Sequence, residues 1–329
     1  MRDIVTIFAT LGQRLATLGT TPEGESLIAQ AIAQNGWFTR TDILRSVDAI
    51  REEMLSEASL NRWLSAYRPS TTPQRVAIVM AGNIPLVGFF DLLCTLCSGH
   101  KAYIKPSSKD SVLMNYIIRT LKEIDPTISI FAYDPTEHYD LAIATGSNEA
   151  NDYFRTHFQG TRCLLRGSRH SVAVLDGKES EAELQGLITD ITAYSGLGCR
   201  SVSMLFAPRG MEIVLPHTTA MNPKLRGNIA SRRALYTIQH RAFSDCGAFL
   251  LSQGSAFPTT LAEVTLQRYD NLSDVATWLE AQRDGIQCVV THTDLPNAIP
   301  FGRAQYPTLT DYADGVDTML FLGNEPNRV

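Results

Sequence analysis

Apolar residues recur at three- and four-residue spacing through the first seventy positions, then gather into short unbroken runs. Ile4, Ile7, Phe8, Leu11 and Leu15 fall on one helical face. Thr21-Pro22-Glu23-Gly24-Glu25 predicts the start of a second helix, with a Thr cap and acids in its first turn, that buries Ile28, Ala31 and Ile32 and breaks at Gly36. Thr41 is placed to cap a third, through Ile43, Leu44, Val47 and Ile50, and a fourth carries Leu60, Trp63 and Leu64. Pro69-Ser70-Thr71-Thr72-Pro73 then interrupts every periodicity and marks a boundary.

Beyond it, Arg75–Met80 is a short apolar run of the kind that forms a strand buried on both faces. Ala102–Ile104, Ile128–Phe131, Leu141–Ala144, Cys163–Leu165 and Val172–Leu175 repeat the pattern, separated by helical stretches near Gly88–Ser98, Asp110–Ile124 and Glu149–Phe158. Short strands alternating with helices predict a doubly wound parallel sheet, with ligands beyond the carboxyl ends of its strands. Three of those ends carry small, polar or cationic residues: Gly82-Asn83, Lys105-Pro106-Ser107 and Gly146-Ser147-Asn148. A further helix is expected over Glu179–Tyr194, broken at Ser195–Arg200, followed by a strand at Ser201–Phe206. Ile286–Val290 reads as a core strand, and Phe301–Leu322 as a turn-rich tail.

At 329 residues, 44% apolar and 19% charged, the chain has globular usage and a length suited to two domains. Its formal charge of −5 points away from nucleic acid as a partner. No apolar run is long enough for a transmembrane helix, and the stretch from Met1 to Ile7 lacks a signal peptide's apolar core. Six dispersed cysteines do not make a disulfide scaffold. These features predict a soluble cytoplasmic protein with reduced thiols.

Cys199 stands out among the thiols. It follows Gly196-Leu197-Gly198, where the backbone can reach positive φ, and precedes Arg200. It is either a nucleophile held as thiolate or a structural cysteine beside a helix end, and spacing leaves both open. Cys94 and Cys97 have no second ligand pair and read as a buried helix face, so no metal site is expected. His100 reads as a loop residue, and Arg166–Ser171 as a basic loop that is either phosphate-contacting or solvated. Asp311, Asp314 and Asp317 read as turn formers. Gly146-Ser147-Asn148 has the form of a phosphate-contacting helix start, although neither Gly-x-Gly-x-x-Gly nor a P-loop is present.

In order and approximate spacing, these segments resemble the aldehyde dehydrogenase superfamily: Ala81–Pro85 its Asn-x-Pro turn, Ser98–Ser107 its Lys-Pro-Ser segment, Thr145–Ser147 its Thr-Gly-Ser turn, and Gly198-Cys199 its nucleophile. More narrowly, Met80–Gly88, Gly196–Arg200 and Asp311–Asp317 resemble the LuxC-type acyl-CoA reductases over nearly the whole chain. The resemblance implies an α/β, aldehyde dehydrogenase-like fold. It has a helical N-terminal segment (1–70), a doubly wound parallel-sheet cofactor domain (71–177) and a second α/β catalytic domain (178–329), with a return of the tail to the cofactor domain left open. It also implies NADPH-dependent reduction of a long-chain acyl-CoA or acyl-carrier-protein thioester to the aldehyde, with NADH as the other cofactor candidate. Cys199 then carries the acyl group and Asn83 holds the oxyanion. Lys105 and Ser107 contact ribose and phosphate, and Gly146 and Ser147 face the pyrophosphate. A homo-oligomer is expected on the same ground.

One position departs from the superfamily. Hydrolytic members carry Glu-Leu-Gly-Gly-Lys; here Leu165-Arg166-Gly167-Ser168-Arg169 stands in its place, without the glutamate that activates water. The rival readings are an acyl-phosphate reductase or short-chain acylating dehydrogenase, which share that departure, and a non-redox cysteine acyltransferase or thioesterase. A silent binding protein on the same fold is a further alternative.

Overall fold

Helix starts are set by short side chains that satisfy the first free N–H groups. Thr21 caps α2 (Pro22–Gln34) by accepting from Gly24 N–H, and Ser56 caps α4 (Glu57–Leu64). The cap of α3 (Arg40–Met54) is Thr39 rather than Thr41: its hydroxyl accepts from Asp42 N–H and donates to the Asp42 carboxylate. With α1 (Ile4–Leu15), these helices pack Phe8, Leu11, Leu15, Ile28, Ile43, Val47 and Leu60 into one core. This computed structural model describes residues 3–68, 70 and 72–323, with the backbone of Glu325–Pro326. Positions 1 and 2 of the N-terminal stretch, and 69 and 71 of the proline-rich break, lie outside it.

The chain divides into two units, Met1–Ser168 with Pro307–Val329, and Arg169–Tyr306. The first holds β2 (Arg75–Val79), β3 (Lys101–Lys105), β4 (Ile130–Ala132), β5 (Leu141–Thr145) and β6 (Arg162–Arg166), with β1 (Tyr67–Arg68) outside the main sheet. The five form one parallel sheet in the order β4-β3-β2-β5-β6, so the direction of winding reverses between β2 and β5. Within β2, Val76 and Ile78 face the core of N-terminal helices, α5 (Phe89–Cys97) and α6 (Ser111–Ile124). Ala77 and Val79 face Phe154 and Phe158, of which Phe154 lies on α7 (Asn148–His157). Successive strand residues point to opposite faces, and both faces are buried.

The crossover from β4 to β5, residues 133–140, contains no helix. Aromatics cover the sheet there instead: Tyr103 stacks on Phe131 and Tyr133 on Tyr139, with the Arg75 guanidinium over the Tyr103 ring.

The tail returns to this unit. Tyr67 donates to the acceptor-only carboxylate of Asp317, so Tyr312 donates to Tyr67, and Trp63 Nε1–H donates to Tyr312. Asp317 also caps α11 (Thr318–Phe321), consistent with its expected use in a turn. The backbone of β14 (Glu325–Pro326) pairs antiparallel with β1. His100 lies in the loop between α5 and β3, as expected, and is buried there. Its Nδ1 accepts from Gln74 N–H, so Nε2 carries the proton and donates to the Leu322 carbonyl.

The second unit begins with β7 (His170–Val174). The span 71–177 therefore contains strands of two different sheets, β6 and β7. Its sheet runs β13-β12-β7-β8-β11-β10-β9, from β8 (Val202–Pro208), β9 (Ser244–Asp245), β10 (Leu250–Gln253), β11 (Glu263–Tyr269), β12 (Ile286–Val290) and β13 (Ala298–Ile299). All neighbours are parallel except β9 and β10. Val172, Val174, Met204, Phe206 and Val289 pack on Val275 of α10 (Leu272–Ala281). No described helix is long and apolar enough to cross a membrane.

Candidate active site

In the second unit, α8 (Glu181–Thr192) is opened by a capping box between Ser180 and Glu183. It ends in a left-handed turn: Tyr194 has φ 53° and ψ 28°, Ser195 φ 57° and ψ 26°, and Gly196 φ 74°. Positive φ thus falls on Tyr194, Ser195 and Gly196 and not on Gly198. Left-handed backbone costs a non-glycine residue about 1–2 kcal/mol, and it persists where the surroundings over-determine it. Here both side chains are buried, and Leu197 N–H closes on the Tyr194 carbonyl. The turn delivers Cys199, half-buried, to the start of β8.

The backbone at Cys199 is anchored from below. Ser171, fully buried on β7, donates its hydroxyl proton to the Cys199 carbonyl at 2.8 Å. Cys288 Sγ lies 3.1 Å from Ser171 Oγ and, with the Ser171 proton committed to the Cys199 carbonyl, is the donor to that hydroxyl. Both neighbouring ladders slip by one residue at this level, between Ser171 and Val172 against β8 and between Ile286 and Cys288 on β12. Such a bulge bends the strand and changes where the neighbouring side chains point. Buried Asp190 of α8 accepts from Gly302 and Ala304 N–H, fixing the 302–304 segment against the helix.

The other expected site residues lie in the first unit, at the carboxyl ends of adjacent strands. Asn83 is half-buried in the turn after β2, Lys105 closes β3 and is exposed, and Ser107 follows it. Gly82 lets these loops touch: a Cβ on it would sit 2.5 Å from Ser107 Oγ. Gly146 N–H donates to the Arg166 carbonyl, and Ser147 caps α7 by accepting from Ala150 N–H. The first turn of α7 already carries an anion, Glu149, whose carboxyl is held below its ordinary value by the Ser147 hydroxyl and its own N–H.

Of the stretch 166–171 only residues 167–169 form a loop, and its ends belong to strands. Arg166 ends β6, buried in an ion pair with Asp91 of α5. His170 is a strand residue stacked on Phe257 at 4.2 Å, and burial lowers its pKa, so the ring is neutral at pH 7. Cys94 and Cys97 are buried on α5, where burial pushes both thiols well up.

Among the described residues, one group could ligate a metal: Asp176, Glu179 and His292. Its polar atoms are engaged with the chain itself. His292 bridges Glu183 (2.7 Å) and Asp176 (3.0 Å), while Glu179 accepts from Asp176 N–H and Gly177 N–H. The two carboxylates raise the His292 pKa above 6.5. A raised folded-state value means that this stabilisation is complete below the unfolded value and fades as pH climbs through the folded one. His292→Gln is therefore expected to lower the melting temperature at pH 5.5 by up to about 3 °C and to change nothing at pH 9, as read by calorimetry. An equal loss at both values would show that protonated His292 contributes nothing.

The parallel five-stranded sheet and the seven-stranded sheet, parallel but for β9, define by their strand orders a protein of the aldehyde dehydrogenase fold. The chain superimposes with TM-score 0.66 on an oxidoreductase from Marinobacter aquaeolei, at 12% identity, covering 99% of this chain and 85% of that one. On an indole-3-acetaldehyde dehydrogenase solved with NAD+, the TM-score is 0.65 at 11% identity, over 99% and 83% of the two chains. The profile of the Acyl-CoA reductase (LuxC) family matches residues 21–236, and the chain belongs to that family. A long-chain acyl-protein thioester reductase of Photorhabdus laumondii is 22% identical over 180 residues, 48% of this chain and 38% of the relative. The chain therefore spans well under two thirds of that relative's length.

Proposed function

We propose that this chain reduces a long-chain acyl thioester to the aldehyde through an acyl-Cys199 intermediate. The observation that carries the reading is a half-buried cysteine, delivered to a strand start by a strained left-handed turn, in a chain of the LuxC family.

Cys199 Sγ attacks the thioester carbonyl carbon. The new C–S bond forms as the carbonyl π pair moves to oxygen, and the donor's thiolate leaves as the carbonyl re-forms. The oxyanion is held by the Asn83 side-chain N–H and the Cys199 backbone N–H; losing one such donor costs about 2.7–4 kcal/mol. Ser171 keeps the Cys199 peptide in one orientation through its bond to the carbonyl. Leu165, packed against the α7-side core, offers no carboxylate to activate water, so the acyl-cysteine persists.

A reduced nicotinamide, NADPH or NADH, supplies the hydride equivalent when bound. The chain's donor set fits such a group: the winding of the sheet reverses between β2 and β5, and exposed Lys105 and Lys109 flank Ser107 at the neighbouring strand end. Lys105 and Ser107 would hold ribose and phosphate. Gly146 and Ser147 would face the pyrophosphate from a helix start whose own Glu149 opposes a second anion, which favours the lysine side for the phosphate charge. The acyl donor is a coenzyme A thioester or an acylated protein, as in the relative's name. The setting is the cytoplasm, and the assembly a homo-oligomer.

Palmitoyl-CoA alone is expected to add one acyl mass to the protein at Cys199. With NADPH or NADH it is expected to bleach the reduced nicotinamide band, one nucleotide per aldehyde formed. An acylated carrier protein in a parallel reaction distinguishes the donors. Release of free acid without nucleotide consumption would make the chain a thioesterase and overturn the reading.

A further inference from the structure

The turn that bears Asn83 is gripped by three buried side chains from three separate helical elements. Asn35, the residue closing α2, donates through Nδ2 to the Gly82 carbonyl at 3.2 Å. Ser46 of α3 donates to the Pro85 carbonyl at 2.8 Å. Leu86 N–H donates to Asp110 Oδ2 at 2.9 Å, from the residue just ahead of α6. The grips fall on both sides of Asn83. All three side chains are buried, and Asn35 is itself fixed by accepting from Trp37 N–H.

Two features exceed what a loop needs for stability. Leu86 is held at φ 56°, a left-handed conformation that leucine does not choose freely. Asp110 is 1% exposed and its Oδ1 has no partner, although a serine or asparagine could accept the Leu86 proton without burying a carboxyl. Burial pushes that carboxyl up to about 8, against the opposing pull of the Leu86 N–H. Local strain and an unsatisfied buried acid are tolerated together where a geometry must be kept.

We propose that Asp110, with Asn35 and Ser46, is a positioning residue that fixes the Gly82–Leu86 turn and thereby aims the Asn83 amide at the reacting oxygen. The inference rests on the reading of Asn83 as an oxyanion donor. None of the three touches substrate. Their work is to remove alternative conformations of a five-residue turn, so that the amide is in place before charge develops on oxygen. The N-terminal helices are thus part of the catalytic apparatus through Asn35 and Ser46.

The test is a double-mutant cycle on the full chain with palmitoyl-CoA and the reduced nucleotide. Asn83→Ala is expected to lower kcat by about 10²–10³-fold. Asp110→Ala is expected to lower kcat by about 10–100-fold with the KM for nucleotide within about twofold, and Asp110→Asn, which keeps an acceptor for Leu86 N–H, to recover most of the loss. The Asn83→Ala/Asp110→Ala double variant is expected to be no slower than Asn83→Ala alone, because the clamp acts only through that amide. Additive losses, or no loss in Asp110→Ala, overturn the clamp. An unchanged rate in Asn83→Ala overturns the oxyanion reading itself, so the two failures are distinguishable. Should Asp110→Ala not fold, Ser46→Ala runs the same cycle by removing one hydroxyl from α3, with the same outcomes expected.

Discussion

Cys199→Ala is expected to abolish aldehyde formation, a loss on the order of 10⁶-fold that leaves only the background rate, as removal of a covalent nucleophile does elsewhere. It is also expected to abolish the acyl adduct seen by intact mass, because no other thiol is a comparable acceptor. Cys94 and Cys97 are buried, with pKa values driven well up. Cys246 and Cys288 are buried as well, and burial raises the half-buried Cys163 thiol. The fold should not suffer: Cys199 is half-buried, and the strained turn before it is closed by Leu197 N–H on the Tyr194 carbonyl. A melting temperature within about 1–2 °C of the parent is expected, so lost activity cannot be blamed on unfolding. An Ala variant that still formed aldehyde from palmitoyl-CoA would remove the covalent mechanism altogether.

The second large effect is on stability. Arg166→Met is expected to destabilise the first unit by about 3–5 kcal/mol near neutral pH. Arg166 Nη2 lies 2.8 Å from Asp91 Oδ1, with side-chain exposures of 5% and 9%, and the guanidinium also donates to the Ala313 carbonyl and to Thr318 Oγ1. Burial raises the Asp91 carboxyl above its ordinary value, and Arg166 pulls it part of the way back. Without the cation, the carboxyl rises further. Folding disfavours the ionised form in both proteins, so their difference grows only between the folded-state pKa of Asp91 in the parent and its higher value in the variant, and is level above that. Urea midpoints should therefore show a larger deficit at pH 8 than at pH 5. Hydrogen exchange should quicken over 313–322, where the tail loses two of its anchors. The double variant Asp91→Leu/Arg166→Met should recover most of the loss, since a well-packed apolar pair can replace a buried ion pair. An equal deficit at both pH values would mean that Asp91 is not the group left behind.

Much of this architecture is readable in the chain because it rests on local physics. The four N-terminal helices follow from apolar spacing and short capping side chains, and the run of buried strands follows from unbroken apolar segments. Errors arise where two neighbours compete locally. Thr39 rather than Thr41 caps α3, and its hydroxyl is also bonded to the Asp42 carboxylate. The expected strand Ile128–Phe131 is found two residues later, at Ile130–Ala132, because Ile128 closes a turn on Asp125. Residues 166–171 look like one polar loop, yet Arg166 is buried against Asp91, 75 positions away in the chain, and His170 faces Phe257.

For the proposed site, the candidate residues stand out by type and spacing, while the residues that hold their backbone do not. Cys199, Asn83, Lys105 and Ser147 sit at strand or helix ends that the pattern of elements already marks. Nothing local distinguishes Asn35 from any helix-closing asparagine, Ser46 from any helical serine, or Asp110 from any residue ahead of a helix. Ser171 likewise reads as one small polar residue in an apolar strand. Each acquires its meaning from a partner 24 to 47 residues away: Leu86, Pro85, Gly82 or Cys199. Hydrophobic periodicity and capping are short-range and are written in adjacent residues. A buried polar contact is specified only when folding has excluded water and left one partner within reach.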